Sequence, residues 1–264
     1  MPLCSVSIDD LTLLDEADFA HVAVYAQLKR ALRSLGCRFR IPSADSPPLS
    51  WDRAVFLNLT FWSADEGDEV LCDDNISADV IAHVAWHQVC APQLQRLVPH
   101  PPTKPSPSAL FFAESIASAF DVYLVGRLIG NKPDSDFVQT QVPIMSEAAQ
   151  QAGLSEEEFA ALITRMSDDP ERAFEDMRAL LFDVSRALFK CGKASEAQLV
   201  LEGFANHPFA ALLHHFQQSN WLLYAHAYGE DHPEQERAVL ELDATLRAAP
   251  VALDWLIEHW VAAA

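Results

Sequence analysis

The chain has 264 residues, half of them hydrophobic, enough for one large domain or two modest ones. Eighteen Lys and Arg against 38 Asp and Glu give a net charge of −20. That balance argues against nucleic acid and anionic membrane as partners, since both reward clustered cations.

Residues 1–14 lack a basic start followed by an apolar core, and no run approaches the roughly 20 apolar residues of a membrane span. The five scattered cysteines (Cys4, Cys37, Cys72, Cys90, Cys191) form no C-x-x-C pair and suit a reducing compartment. A cytoplasmic location is the expectation. Asp15 opens a first helix that closes at Gly36, with Tyr25, Leu28, Leu32 and Leu35 on one side. Pro42, Pro47 and Pro48 mark a loop. Residues 53–62 read as a strand, and the acidic turn Asp65–Asp68 returns the chain through a second one, Glu69 to Cys72.

Ser77 caps the next helix, which carries Asp79 in its first turn and should end near Pro92. Residues 92–107 hold six prolines and predict an extended loop. Ser108 then starts a long apolar helix to Gly130 that contains Glu114, Ser118 and Asp121. Beyond it, Ser155 with Glu158 and Ser195 with Gln198 have the spacing of capping boxes. Pro170, Pro208, Pro233 and Pro250 fit first helical positions. Phe174, Met177, Leu181, Val184 and Leu188 make a buried stripe. The fold expected is mainly α with a small β-hairpin or sheet near residues 53–72. A division near residue 145 separates a mixed part, 1–145, from an all-helical part, 146–264, although both parts can share one core.

The chemistry concentrates in His83-Val84-Ala85-Trp86-His87. Residues i and i+4 share a helix face, so both imidazoles can reach one ion. A third ligand is expected from another element, and Glu114 is the candidate, because a lone carboxylate in an apolar helix needs a cation or donor. Ser118 and Asp121 lie on the same helix face, where either can hold a ligating histidine by its free N–H. Alternatively, the histidines are core residues bonded to backbone or carboxylates, with Glu114 paired to Arg127 or Arg96.

The order of these elements resembles the glutamate-zincin metallopeptidases over residues 75–122. That family carries His-Glu-x-x-His on one helix and Asn-Glu-x-x-x-Asp on a later one. The resemblance implies zinc held by His83, His87 and Glu114, with Ser118 at the family's aspartate and Ala113 at its asparagine. Val84 departs from the pattern: it stands where the family has the carboxylate that deprotonates water. A substitute base would come from Asp121, Tyr123, His214, His215 or His226. Two histidines and a carboxylate also describe the iron triad of mononuclear oxygenases, whereas a ferritin-like site is disfavoured by the lack of Glu-x-x-His.

Residues 172–250 more weakly resemble tetratricopeptide helical hairpins, with Gly192 at the turn, Ala197 at the small packing position and Pro208 closing the unit. An echo runs through Tyr228, Gly229, Ala238 and Pro250. The stretch reads as helix-pair packing, with a surface for a protein partner on the C-terminal helices as the alternative. His214 and His215 diverge by about 100° on a helix, so one should face the core and the other solvent. Trp221, Tyr224, Trp255 and Trp260 read as core, and Cys90 as a buried thiol. No glycine-rich phosphate loop and no Gly-x-Ser-x-Gly elbow occur. The function expected is a metal-binding protein with a degenerate zincin-like site that is not an ordinary peptidase. A non-enzymatic helical interaction scaffold and an iron oxygenase are the alternatives.

Overall fold

The computed structural model describes residues 3–43, 69–71, 73–100 and 102–264. Among them, β1 (Leu3–Ser7) pairs antiparallel with β3 (Arg38–Pro42), from Leu3 opposite Pro42 to Ser7 opposite Arg38. The edge of β3 takes β4 (Glu69–Val70) in parallel. A separate parallel pair joins β2 (Thr12–Leu14) to β5 (Asn75–Ser77). The expected strand at 53–62 and Cys72 lie outside the described residues. Strands β1, β2, β3 and β5 were not expected. They are three to five residues long and take partners from distant parts of the chain, so local alternation hardly marks them.

The first helix is shorter than its sequence suggests. Asp15 sits in the left-handed region (φ 56°) ahead of a 3-10 turn over Glu16–Phe19, and α1 runs only over Ala23–Ser34. Tyr25, Leu28 and Leu32 are buried as its spacing predicts, but Leu35 falls at the helix end and is exposed. Gly36 (φ 66°) then takes the left-handed position that ends many helices.

Helix α2 spans Ala78–Gln95 and passes through Pro92 instead of stopping there. Helix α3 spans Pro107–Ile129, and its cap is Ser106, whose hydroxyl accepts from the Ala109 N–H at 3.3 Å. Ser108 instead bonds Glu236 by its hydroxyl and, at 2.9 Å, by its N–H. That leaves Pro107 in the first turn, where its missing N–H costs nothing. Helix α3 is long and apolar enough to cross a membrane by length and composition, which corrects the expectation that no stretch is. Its most apolar window is 83% buried inside the protein.

The remaining helices are α4 (Asp136–Gln151), α5 (Glu156–Asp168), α6 (Pro170–Leu188), α7 (Ala194–Gly203), α8 (Gln218–Tyr228), α9 (Pro233–Ala248) and α10 (Ala252–Leu256). A 3-10 stretch over Ala210–Phe216 precedes α8, and a π turn over Ile257–Val261 follows α10. The Ser155–Glu158 capping box is present. The Ser195–Gln198 box is not: α7 starts at Ala194, and Glu196 reaches back to the Gly192 N–H at 2.9 Å. Pro170 and Pro233 open their helices, whereas Pro208 and Pro250 lie just outside theirs.

Helix α3 is the central member, packed most extensively on α6 and also on α2, α5, α8 and α9. At Gly126 a Cβ would overlap the Met166 carbonyl oxygen, so only glycine lets α5 come this close. The stripe Phe174, Met177, Leu181 and Val184 is fully buried, with Leu188 at its partly buried end. One hydrophobic cluster runs from Ile8 to Val261 and draws on both sides of residue 145.

Candidate metal centre

Helices α2 and α3 pack together, tied in part by an edge-to-face contact of Trp86 with Phe120 at 5.7 Å. This packing brings His83, His87 and Glu114 together, with the three donor groups within 4.8 Å of one another. His83 Nε2 and His87 Nε2 are 3.2 Å apart. Glu114 Oε2 is 3.1 Å from His87 Nε2, and Oε1 is 3.6 Å from His83 Nε2. A tetrahedral ion with bonds of about 2.0–2.1 Å separates its donors by roughly 3.3–3.4 Å. A six-coordinate ion with bonds near 2.1 Å separates neighbouring donors by roughly 3.0 Å. The donor set could therefore hold a metal ion of either kind.

Protonation suits the same purpose. Burial pushes His83 down to about 4, against the pull of Glu114, so its ring is neutral at pH 7 and keeps a lone pair. Burial alone would raise Glu114, but the charge and hydrogen bond of His87, with His83 and Ser118, hold it at about 2. The three side chains keep 31%, 29% and 25% exposure, so solvent or a small ligand can reach them.

Ser118 does not hold a histidine. Its hydroxyl donates to Glu114 Oε1 at 3.4 Å and so steadies the carboxylate. Asp121 has no hydrogen-bond donor or cation among the described residues, and no contact ties it to either imidazole. Burial, then the charges of Asp79 and Glu114, raise its carboxyl well above the usual range. Asp79 is itself raised, chiefly by burial, against the backbone N–H groups of Asp79 and Val80. Asp79 acts on Asp121, and its place four residues before His83 puts it on the histidine face of α2.

Val84 is buried in the hydrophobic core beside the histidines. Tyr123 is committed elsewhere: its hydroxyl accepts from Arg127 Nε at 3.1 Å, and Arg127 also pairs with Glu171. Neither Arg127 nor Arg96 pairs with Glu114. Of the two adjacent histidines, His214 is exposed and His215 turns inward, where its Nδ1 is buried without a partner. His226 stacks on Phe189 at 4.2 Å. None of these three histidines is among the groups that act on His83 or Glu114. Cys90 is fully buried, and burial pushes its thiol up, as expected of an inert core cysteine. Comparison with family models, with curated proteins and with solved structures finds no match for this chain.

Proposed function

We propose that this chain is a metal-binding protein whose ion is held by His83, His87 and Glu114 in a degenerate zincin-like helix pair. The observation that carries the reading is the donor cluster across two helices: the two imidazole nitrogens are 3.2 Å apart, with one Glu114 oxygen 3.1 Å from His87 and the other 3.6 Å from His83. A neutral imidazole at His83 and an ionised Glu114 are the forms that ligate. A bound ion would supply Lewis acidity at the solvent-facing side of the cluster. Ser118 would fix the orientation of Glu114. With an apolar side chain at position 84, the chain is not an ordinary peptidase.

Zinc is our reading of the ion. The 3.1 and 3.2 Å separations also suit the iron triad of an oxygenase, so the metal itself separates the two. The rival from another class is an interaction scaffold. It draws on Leu199 and Leu223, apolar side chains left largely exposed on α7 and α8.

Metal analysis of protein purified without an affinity tag tests the proposal. The expected result is about one zinc per chain, lost in His83→Ala and in Glu114→Gln, with a lower Tm once a chelator removes it. Iron in the same stoichiometry moves the assignment to the oxygenase reading. No stoichiometric metal, together with melting indifferent to chelator, overturns the proposal and leaves the scaffold.

A further inference from the structure

The ends of four helices border a half-open cavity that shares no residue with the donor cluster. The start of α3, the end of α6, the end of α8 and the approach to α9 line it, and its volume is about 410 Å³. That is within the range of small-molecule sites. We propose that this cavity binds a small planar aromatic molecule carrying one anionic group.

The apolar wall is made of rings. Phe111 and Phe189 meet edge to face at 5.5 Å, and His226 stacks on Phe189. Such faces favour a flat unsaturated body by stacking and edge contacts. The polar lining carries two cations, Arg186 and Lys190, four residues apart, and two carboxylates, Glu236 and the exposed Asp231. The Arg186 guanidinium lies over the Phe182 ring at 5.4 Å, and its Nε donates to Ser108 Oγ at 3.0 Å, so the group is held in place before any ligand arrives. Among the described residues no carboxylate lies within ion-pair distance of Arg186 or Lys190. Glu236, on the same wall, already takes the N–H and the hydroxyl of Ser108 at the start of α3. The terminal guanidinium nitrogens of Arg186 and the Lys190 ammonium are left for an external anion.

The walls are fixed by bonds between distant segments. The Glu230 N–H donates to the Pro105 carbonyl at 3.0 Å, and the Ser106 N–H to Gln235 Oε1 at 2.7 Å. A Cβ at Gly229 would overlap the Ala225 carbonyl oxygen at 2.5 Å and also stand 3.3 Å from Pro107 Cγ, so glycine is required first by the end of α8 and also eases the approach of Pro107. Such bonds between the bordering segments lower the ordering cost of binding relative to an untied loop.

Benzoate is the probe, titrated into the untagged full chain by calorimetry, with phosphate and benzyl alcohol as partial probes. Benzoate should bind saturably, and about tenfold more weakly in Lys190→Glu and in Arg186→Gln, the usual effect of losing one charge-assisted contact. Phosphate lacks the ring and benzyl alcohol lacks the charge, so each should bind at least about tenfold more weakly than benzoate. Lys190 is exposed, so its substitution tests the site without threatening the fold. Absence of saturable benzoate binding, or an affinity unchanged in Lys190→Glu, overturns the proposal. Equal binding of phosphate overturns the aromatic requirement, and equal binding of benzyl alcohol the anionic one. The outcome is independent of whether the donor cluster holds a metal.

Discussion

Burial, then the charges of Asp79 and Glu114, hold the Asp121 carboxyl above the range of a free carboxylate. The native state therefore keeps this proton more tightly than the unfolded chain does. Stability is lost as pH rises from the unfolded value of 3.8 through the raised native one. Asp121→Asn should make the metal-free protein more stable than its parent at pH 7 and leave it about equal at pH 3, read from urea midpoints. A variant less stable at pH 7 would mean that Asp121 has a partner that neutralises it. His83 titrates in the opposite sense. Its native value is depressed to about 4, so its contribution favours the native state above 6.5 and fades as pH falls between these values. The i, i+4 spacing made the histidine pair legible in the sequence, and the cost of burying a lone carboxylate pointed to Glu114. The direction of the Ser118 hydroxyl was not legible, because it depends on how α3 rotates against α2.

At the scale of elements, α3 is bounded by two devices with different visibility. Its start depends on Ser106, where sequence reading placed Ser108, since either serine can cap an apolar run and only the distant Glu236 separates them. Its close contact with α5 depends on Gly126, whose place in a long apolar run shows nothing of the Met166 carbonyl opposite. Gly126→Ala should cost about 1–3 kcal/mol, as overpacking does, even though alanine is the better helix former. An unchanged or raised Tm would show that α5 can move aside. The alternating three- and four-residue steps along α6 were readable because a single amphipathic helix meeting the core needs no other information. The short strands were not, because their partners are separated by up to about 60 residues and their alternation covers three to five positions.

Across the whole molecule, Arg178 joins three helices. It is fully buried on α6, makes two 2.7 Å bonds to Glu175 and one of 2.9 Å to Asp243 on α9, and lies over Phe112 of α3 at 5.4 Å. Arg247 completes the group from α9, bonding Asp243 at 2.7 Å and Asp183 at 2.9 Å. Arg178→Ala leaves Glu175 and Asp243 without the cation between them. It should cost roughly 3–5 kcal/mol, the usual loss when one partner of a buried ion pair is removed. A loss within about 0.5 kcal/mol, the size of an ordinary surface substitution, would show that Arg247 alone balances the acids.

Composition and periodicity by themselves determined a mainly helical chain, the buried face of α6, and a histidine pair on one helix with a carboxylate on another. These follow from neighbours within a few residues, where helical geometry fixes which side chains share a face. Tertiary packing alone decided that the three donors meet, that Val84 belongs to the core, and that Asp79 stands with Asp121. It also formed the cavity between the helix ends. Each of those depends on the rotation and distance between elements far apart in sequence, which residue spacing within one helix does not encode.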